Sequence, residues 1–246
     1  MAEKANASGA RIKPRGSSAT MSHRDPNADD TDFFPTPCWG ARVGGELIKR
    51  IDPLARSAWE PACGAGHMVH GLKDYFDFVG ASDKYVYDRN PVFDFVAGAD
   101  GEEPYTCDWI VTNPPFAPLS TFIQRAHRRA RRGCAMLVRL AALEGVGRYR
   151  LLYHTCPLTF SVPFAERLPM VKGRYDPDQS SAAAYAWFIF LKRPAVLTSP
   201  YRDAIEASQA HRMHLQMGVK PGAKSRLTRP SDRAFAVSDA KWVEAA

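Results

Sequence analysis

Two short stretches of the chain combine residue types that could do chemistry. The first is "DWIVTNPPF", residues 108–116, where an apolar run ends in an amide, two prolines and an aromatic ring. Proline cannot donate to a sheet ladder, so a buried strand must stop there. The residue before a proline is pushed out of helical space, which holds Asn113 extended. The amide oxygen of Asn113 and the proline-fixed carbonyl of Pro114 are then two acceptors in set geometry. An exocyclic amino group carries two hydrogens that suit them, and Phe116 offers a face on which a base can stack. A plain strand-to-helix turn would account for one proline but not for Asn113, Pro114, Pro115 and Phe116 together.

The second stretch is "EPACGAGHM", residues 60–68. Gly64 and Gly66 permit a tight turn and the close approach of a ligand to the backbone. No Lys-Ser/Thr follows them, so this is not a triphosphate loop, and the full GxGxxG spacing is also missing. A GxG pair alone is a weak signal, because such glycines often serve packing. Asp83 strengthens it, standing where Rossmann-like folds place a carboxylate on ribose hydroxyls. Together they fit an adenosyl ligand that lacks a pyrophosphate.

Short apolar runs alternating with helical stretches must position these groups. Strands are expected in "SAWEPA", "DFVGASD", "PVFDFVAG" (the weakest), "DWIVTNPP", "CAMLVRL", "LTFSVPF" and "AYAWFIFL". Helices are expected after the Gly-rich turn ("VHGLKDYF"), after "NPPF" ("LSTFIQRAHRRARR") and over "SPYRDAIEASQAHRMHLQM". The pattern predicts an α/β, Rossmann-like domain with a mostly parallel sheet of about seven strands, one antiparallel near the end, covered on both faces. The strand that ends in Asn113 should lie beside the first, at the switch point where ligands bind. On the helix after "NPPF", Arg125, Arg128, Arg129 and Arg132 share a face, which reads as a solvated surface or as a stripe tracking phosphates.

The chain has 246 residues, 33 Lys+Arg against 26 Asp+Glu and a formal charge of +7. That excess suits a polyanionic partner, most simply nucleic acid. No apolar stretch is long enough to cross a bilayer and no signal-peptide core is present, which suggests a cytoplasmic protein. Cys38, Cys63, Cys107, Cys134 and Cys156 are scattered, as expected of reduced thiols in or near a core rather than a disulfide set or a zinc site. The histidines show no metal-ligand pattern, so no metal is expected. Residues 1–28 read as a disordered basic arm, 29–217 as the folded domain and 218–246 as a flexible basic tail.

"NPPF", with "EPACGAGHM" upstream and "DFFPTP" before it, resembles the amino-group DNA methyltransferases, particularly their N6-adenine branch. With "DFFPTP" first, the motif order resembles the gamma-type arrangement. The resemblance runs from about residue 30 to residue 192. It implies that S-adenosylmethionine is the cofactor, with Glu60, Cys63, Gly64 and Gly66 on its methionine side and Asp83 on its ribose. Asp94 and Phe95 would flank its adenine, and Phe34, Thr36 and Pro37 would close over its methionine moiety. It further implies methyl transfer to the N6 amino group of a flipped or single-stranded adenine in DNA, with Asn113, Pro114, Pro115 and Phe116 at the reacting centre. No catalytic acid is required, so Asp30, Asp32 and Asp108 are not candidates.

Arg139, Arg148, Arg167, Lys172 and Arg174 lie in stretches similar to those flanking the target base in family members. They read equally as backbone contacts or as ordinary solvated surface, and "GRYDPDQSS" as a mobile loop. Little room remains for a separate recognition domain, so a monomer or a homodimer with short or relaxed specificity is expected, as in a phage or restriction-modification setting. RNA adenine methyltransferases also carry "NPPF", so RNA is an alternative substrate. Protein-glutamine methyltransferases are a further amide-type relative, usually with Tyr last. A non-catalytic nucleic-acid-binding module that retains the fold is the alternative from another class.

Overall fold

A computed structural model of the protein describes residues 33–87 and 90–235. The arm over residues 1–28 and the segment 236–246 lie outside the described residues. The first half carries α1 (Cys38–Ile51), β1 (Ser57–Glu60), α2 (His67–Leu72), β2 (Phe78–Ala81), β3 (Trp109–Thr112), α3 (Leu119–Arg129) and β4 (Gly133–Arg139). The second half carries α4 (Val146–Arg150), a π-helical turn (Leu151–Thr155), β5 (Phe160–Pro163), β6 (Tyr185–Leu191), α5 (Arg193–Thr198), α6 (Arg202–Ala210), β7 (Leu215–Gln216) and α7 (Ala223–Leu227).

The strands form one seven-stranded sheet in the order β2-β1-β3-β4-β6-β5-β7. β2, β1, β3 and β4 run parallel, whereas β6 is antiparallel to both β4 and β5. This is the α/β, Rossmann-like architecture that the alternation of strands and helices predicts. The chain runs from β1 outward to β2 and then returns to β3 on the other side of β1. The loops leaving β1 and β3 therefore meet at the switch point.

Strand β6 shows why the sheet has two apolar faces. All seven residues of "YAWFIFL" are buried. Tyr185, Trp187, Ile189 and Leu191 join one core layer, while Ala186, Phe188 and Phe190 join the other. That is the period-two alternation of a strand covered on both sides. The first layer is closed by α1 and α2 through Ile48, Ile51, Met68 and Leu72, the second by α3 through Phe122, Ile123 and Ala126. Each Ile, Leu, Met or Phe side chain among them contributes about 1.5–3 kcal/mol when fully buried. Three core tryptophans also satisfy their indole N–H: Trp59 on Ser82 Oγ (2.9 Å), Trp109 on Asp52 (2.8 Å) and Trp187 on the Gly40 carbonyl (3.2 Å). At Gly44, in mid-helix, a Cβ would stand 2.5 Å from the Trp187 ring, so that glycine allows α1 to lie close on the sheet.

Four expectations are corrected. "PVFDFVAG" is not a strand. Only an isolated bridge joins Val92 to Asp83, and the Asp94 carboxylate accepts the backbone N–H groups of Val96 (2.8 Å) and Ala97 (2.9 Å), turning the chain. The expected helix over residues 199–217 is α6 alone. It ends at Ala210, Arg212 takes a left-handed φ of 52°, and Leu215–Gln216 pairs with β5 as β7.

Residues 218–235, expected as a loose tail, fold back onto α1. Buried Arg42 is bidentate to Asp232 (2.7 and 2.9 Å) and also holds Asp74 (2.6 Å) and the Leu227 carbonyl (2.8 Å). Finally, the arginines of α3 and of the turn that follows it are neither a solvated face nor a phosphate stripe. Arg125 is buried against the Gly98 (2.6 Å) and Ala99 (3.2 Å) carbonyls and Glu103, Arg129 pairs with Asp100 and Glu103, and Arg132 pairs with Asp52; Arg128 alone of the four is exposed.

Candidate active site

The site forms where the ends of β1, β2 and β3 face the segment that precedes α1. β1 delivers Glu60, after which the chain turns through Gly64 (φ 47°) and Gly66 (φ 85°) into α2. A Cβ on Gly64 would stand 2.5 Å from the Phe33 ring, so close approach as well as backbone conformation requires glycine there. The turn is stitched to the end of β2: Cys63 N–H donates to the Ser82 carbonyl (3.0 Å) and Gly64 N–H to Asp83 Oδ2 (2.9 Å). The other oxygen of Asp83 accepts the Tyr85 N–H (3.0 Å).

β3 delivers Asn113, whose Nδ2 donates to the Phe34 carbonyl at 2.9 Å. A carbonyl can only accept, so this bond fixes which way round the amide stands and leaves Oδ1 as its acceptor end. The Phe34 ring meets the Phe116 ring edge-on at 5.2 Å, and the Arg139 guanidinium lies 4.2 Å from the centroid of Phe116.

These groups enclose a cavity of about 460 Å³ lined by Phe34, Thr36, Glu60, Cys63, Gly64, Asp83, Asp94, Phe95, Asn113, Pro114, Pro115 and Phe116. Its size falls in the range of small-molecule sites, about 300–1,000 Å³. Two of its carboxyl groups, Asp83 and Asp94, stand against Lys84, and a third, Glu60, is buried. Burial pushes Glu60 up to about 8 and raises Asp83 above the usual carboxylate range. A dianionic pyrophosphate is disfavoured in such surroundings, whereas a cationic ligand is favoured.

Two of the expected cofactor residues do not line this cavity. Pro37 starts α1, its carbonyl accepting from Gly40 (2.8 Å) and Ala41 (3.2 Å), and Gly66 caps α2. None of the five expected phosphate contacts lines it either. Arg139 is stacked on Phe116, and Arg148 donates to Ser120 Oγ (2.9 Å) at the start of α3. Arg167 binds the Ala182 carbonyl (3.1 Å), Arg174 faces Asp176, and Lys172 lies in the same β5–β6 connection. Asp108 stands at the far end of β3, holding the N–H groups of Arg56 and Ser57.

Sequence reasoning missed Phe33, Met68, Tyr85, Tyr87 and Phe122, which also line the cavity. Phe33 stood inside "DFFPTP", and two tyrosines so soon after Asp83 were a readable sign of a ligand wall. All five cysteines are buried and free, and among the described residues no three His, Cys, Asp or Glu side chains converge as a metal set. No helix among the described residues is long and apolar enough to cross a membrane.

No protein-family model matches the chain, and no curated protein does. Among solved structures it is similar to the methyltransferase subunit of a type I restriction-modification system from Streptococcus thermophilus, with a TM-score of 0.51 and 11% identity over 65% of this chain and 45% of that one. It is also similar to the 23S rRNA methyltransferase ErmE, with a TM-score of 0.42 and 18% identity over 81% and 86% of the two chains. The chain thus spans less than half the length of the restriction-modification subunit. What the first likeness establishes is the fold: the mixed seven-stranded sheet is built as in that methyltransferase subunit.

Proposed function

We propose that the protein transfers a methyl group from S-adenosylmethionine to the N6 amino group of adenine in DNA. The observation that carries this reading is the Asn113 amide, turned by the Phe34 carbonyl so that its oxygen is the free acceptor beside a proline-fixed backbone.

The residues present fit the cofactor. Gly64 leaves the space that a Cβ would fill, Asp83 stands at the end of β2 to take ribose hydroxyls, and the carboxyl-rich cavity favours a ligand bearing a sulfonium and an ammonium. When bound, S-adenosylmethionine supplies an electrophilic methyl group. Asn113 Oδ1 and the Pro114 carbonyl accept the two amino hydrogens of adenine, drawing the nitrogen toward a geometry in which its lone pair is available. Phe116 holds the plane of the base, with Phe34 against its edge and Arg139 against one face. Catalysis is then orientation and electrostatics at a pre-set site, and the excess proton leaves to water. A base stacked in a duplex cannot enter the cavity, so it must be flipped or single-stranded.

The test incubates the protein with methyl-labelled S-adenosylmethionine and unmodified DNA or RNA, followed by digestion to nucleosides. Label in N6-methyl-2′-deoxyadenosine from DNA is expected. Label from RNA alone would move the substrate class, and label in neither, from a protein that binds the cofactor, would overturn the reading.

A further inference from the structure

The element that follows β4 is unlike the rest of the surface. Gly145 (φ 104°) opens α4, a five-residue helix that runs into the π-helical turn Leu151–Thr155. Leu151 and Leu152 anchor this turn in the core, while Val146 (75% exposed) and Tyr149 (53% exposed) project into solvent. Tyr149 is stacked on Tyr153 with centroids 5.1 Å apart and planes inclined by 28°, and His154 meets it edge-on at 5.4 Å. Tyr153 is itself held, its hydroxyl 3.2 Å from His214 Nδ1.

An exposed aromatic ring backed by a second, immobilised ring has lost its rotamer freedom before any ligand arrives. Tyr149 still leaves 53% of its surface open to a ligand. π-Helical turns are rare and frequently lie at functional sites. Arg150, next in sequence to Tyr149, is exposed, and Arg148 bridges from α4 to Ser120, four residues beyond Phe116. β4 itself ends in Arg139, which covers a face of Phe116. The platform is therefore tied through Arg148 to the start of α3, the helix that follows the "NPPF" loop.

We propose that Tyr149, backed by Tyr153 and flanked by Arg150, is a stacking platform for an unpaired base of a single-stranded nucleic acid whose neighbouring base occupies the site at Asn113. This rests on the function proposed above and adds the strand state of the substrate and the element that holds it. Stacking on aromatic rings combined with cationic side chains along the backbone is how single strands are bound without base pairing.

The experiment measures binding of the full-length protein to fluorescein-labelled DNA of about 12 nucleotides, single-stranded or duplex, and to the matching RNA. Cofactor affinity is measured in parallel by calorimetry. Tyr149→Ala should weaken single-strand binding about tenfold to hundredfold, Tyr149→Trp should retain it, and cofactor affinity should be unchanged in both. Thermal melting of each variant checks folding, which an exposed side chain should not perturb. Single-strand affinity unaltered by Tyr149→Ala in an enzyme that still methylates would overturn the platform alone, as would an equal loss in Tyr149→Trp. A platform serving a protein partner would give the first of these results. Wild-type protein that binds neither cofactor nor strand would overturn the proposed function as well.

Discussion

At the residue scale the site depends on the state of individual polar groups. Asn113→Ala removes the acceptor together with the tie from Nδ2 to the Phe34 carbonyl. It should leave the dissociation constant for the cofactor within about twofold and lower the methyl-transfer rate about 10²–10³-fold, as for loss of one pre-set polar group. Calorimetry and a labelled-methyl assay separate the two effects, and undiminished turnover would remove Asn113 from the chemistry. Glu60 gives a pH prediction. Its carboxyl is raised to about 8 when folded, against about 4.3 for an unperturbed glutamate. The folded protein therefore holds a proton that the unfolded chain releases first. Stability is complete below the unfolded value and is lost as pH rises through about 8. Glu60→Gln should abolish that decline. Melting temperatures of both proteins between pH 5 and 9 test this, and parallel curves would show that Glu60 is not the titrating group.

At the element scale, the segment between β2 and β3 carries Asp94 and Phe95 into the cavity wall without regular structure. Arg125 of α3 replaces the missing ladder, binding three of its carbonyls from Val96, Gly98 and Ala99 and lying 5.6 Å from both the Phe93 and Phe95 rings. Arg125→Met should leave those carbonyls unsatisfied, at about 1–3 kcal/mol each where buried. The expected outcome is weaker cofactor binding with near-normal turnover at saturating cofactor; reduced turnover with unchanged affinity would place the defect elsewhere. This segment also shows where the sequence misleads. Phe93 and Phe95 look like strand residues, but their partners are Trp59, Phe122 and Arg125, all distant in sequence. The strands around the site were legible because short apolar runs give way to polar or turn-forming residues at Glu60-Pro61, Ser82-Asp83 and Asn113-Pro114. Helix α1 was not, since Gly44 and Gly45 dilute its pattern and its packing against Trp187 is not a local property. The cavity residues from "NPPF", the Gly-rich turn and Asp83 were legible because their backbone demands are written in residue type. The basic contacts were not, because an arginine's partner is fixed only in three dimensions.

At the scale of the whole molecule, residues 218–235 close the fold rather than trail from it. Arg42 is 1% exposed and the side chain of Asp232 4%, so removing Asp232 leaves a buried guanidinium with Asp74 as its one carboxylate. Asp232→Ala should destabilise the protein by more than about 1 kcal/mol, the most that truncating such a pair at a solvated site would cost. Denaturant unfolding measures the difference, and a loss below about 1 kcal/mol would mean that Leu227 and Asp74 hold the segment without Asp232.

The strand order carries one more consequence, for biogenesis. β6 lies between β4 and β5 yet follows both in the chain. While the polypeptide emerges from the ribosome, β4 is complete at Arg139, but its outer edge gains a neighbour only when Tyr185–Leu191 arrives. For that interval an apolar edge is open to pairing with another nascent chain. Slow translation across residues 140–184 should therefore lower soluble yield, and a chaperone that shields apolar strands should restore it.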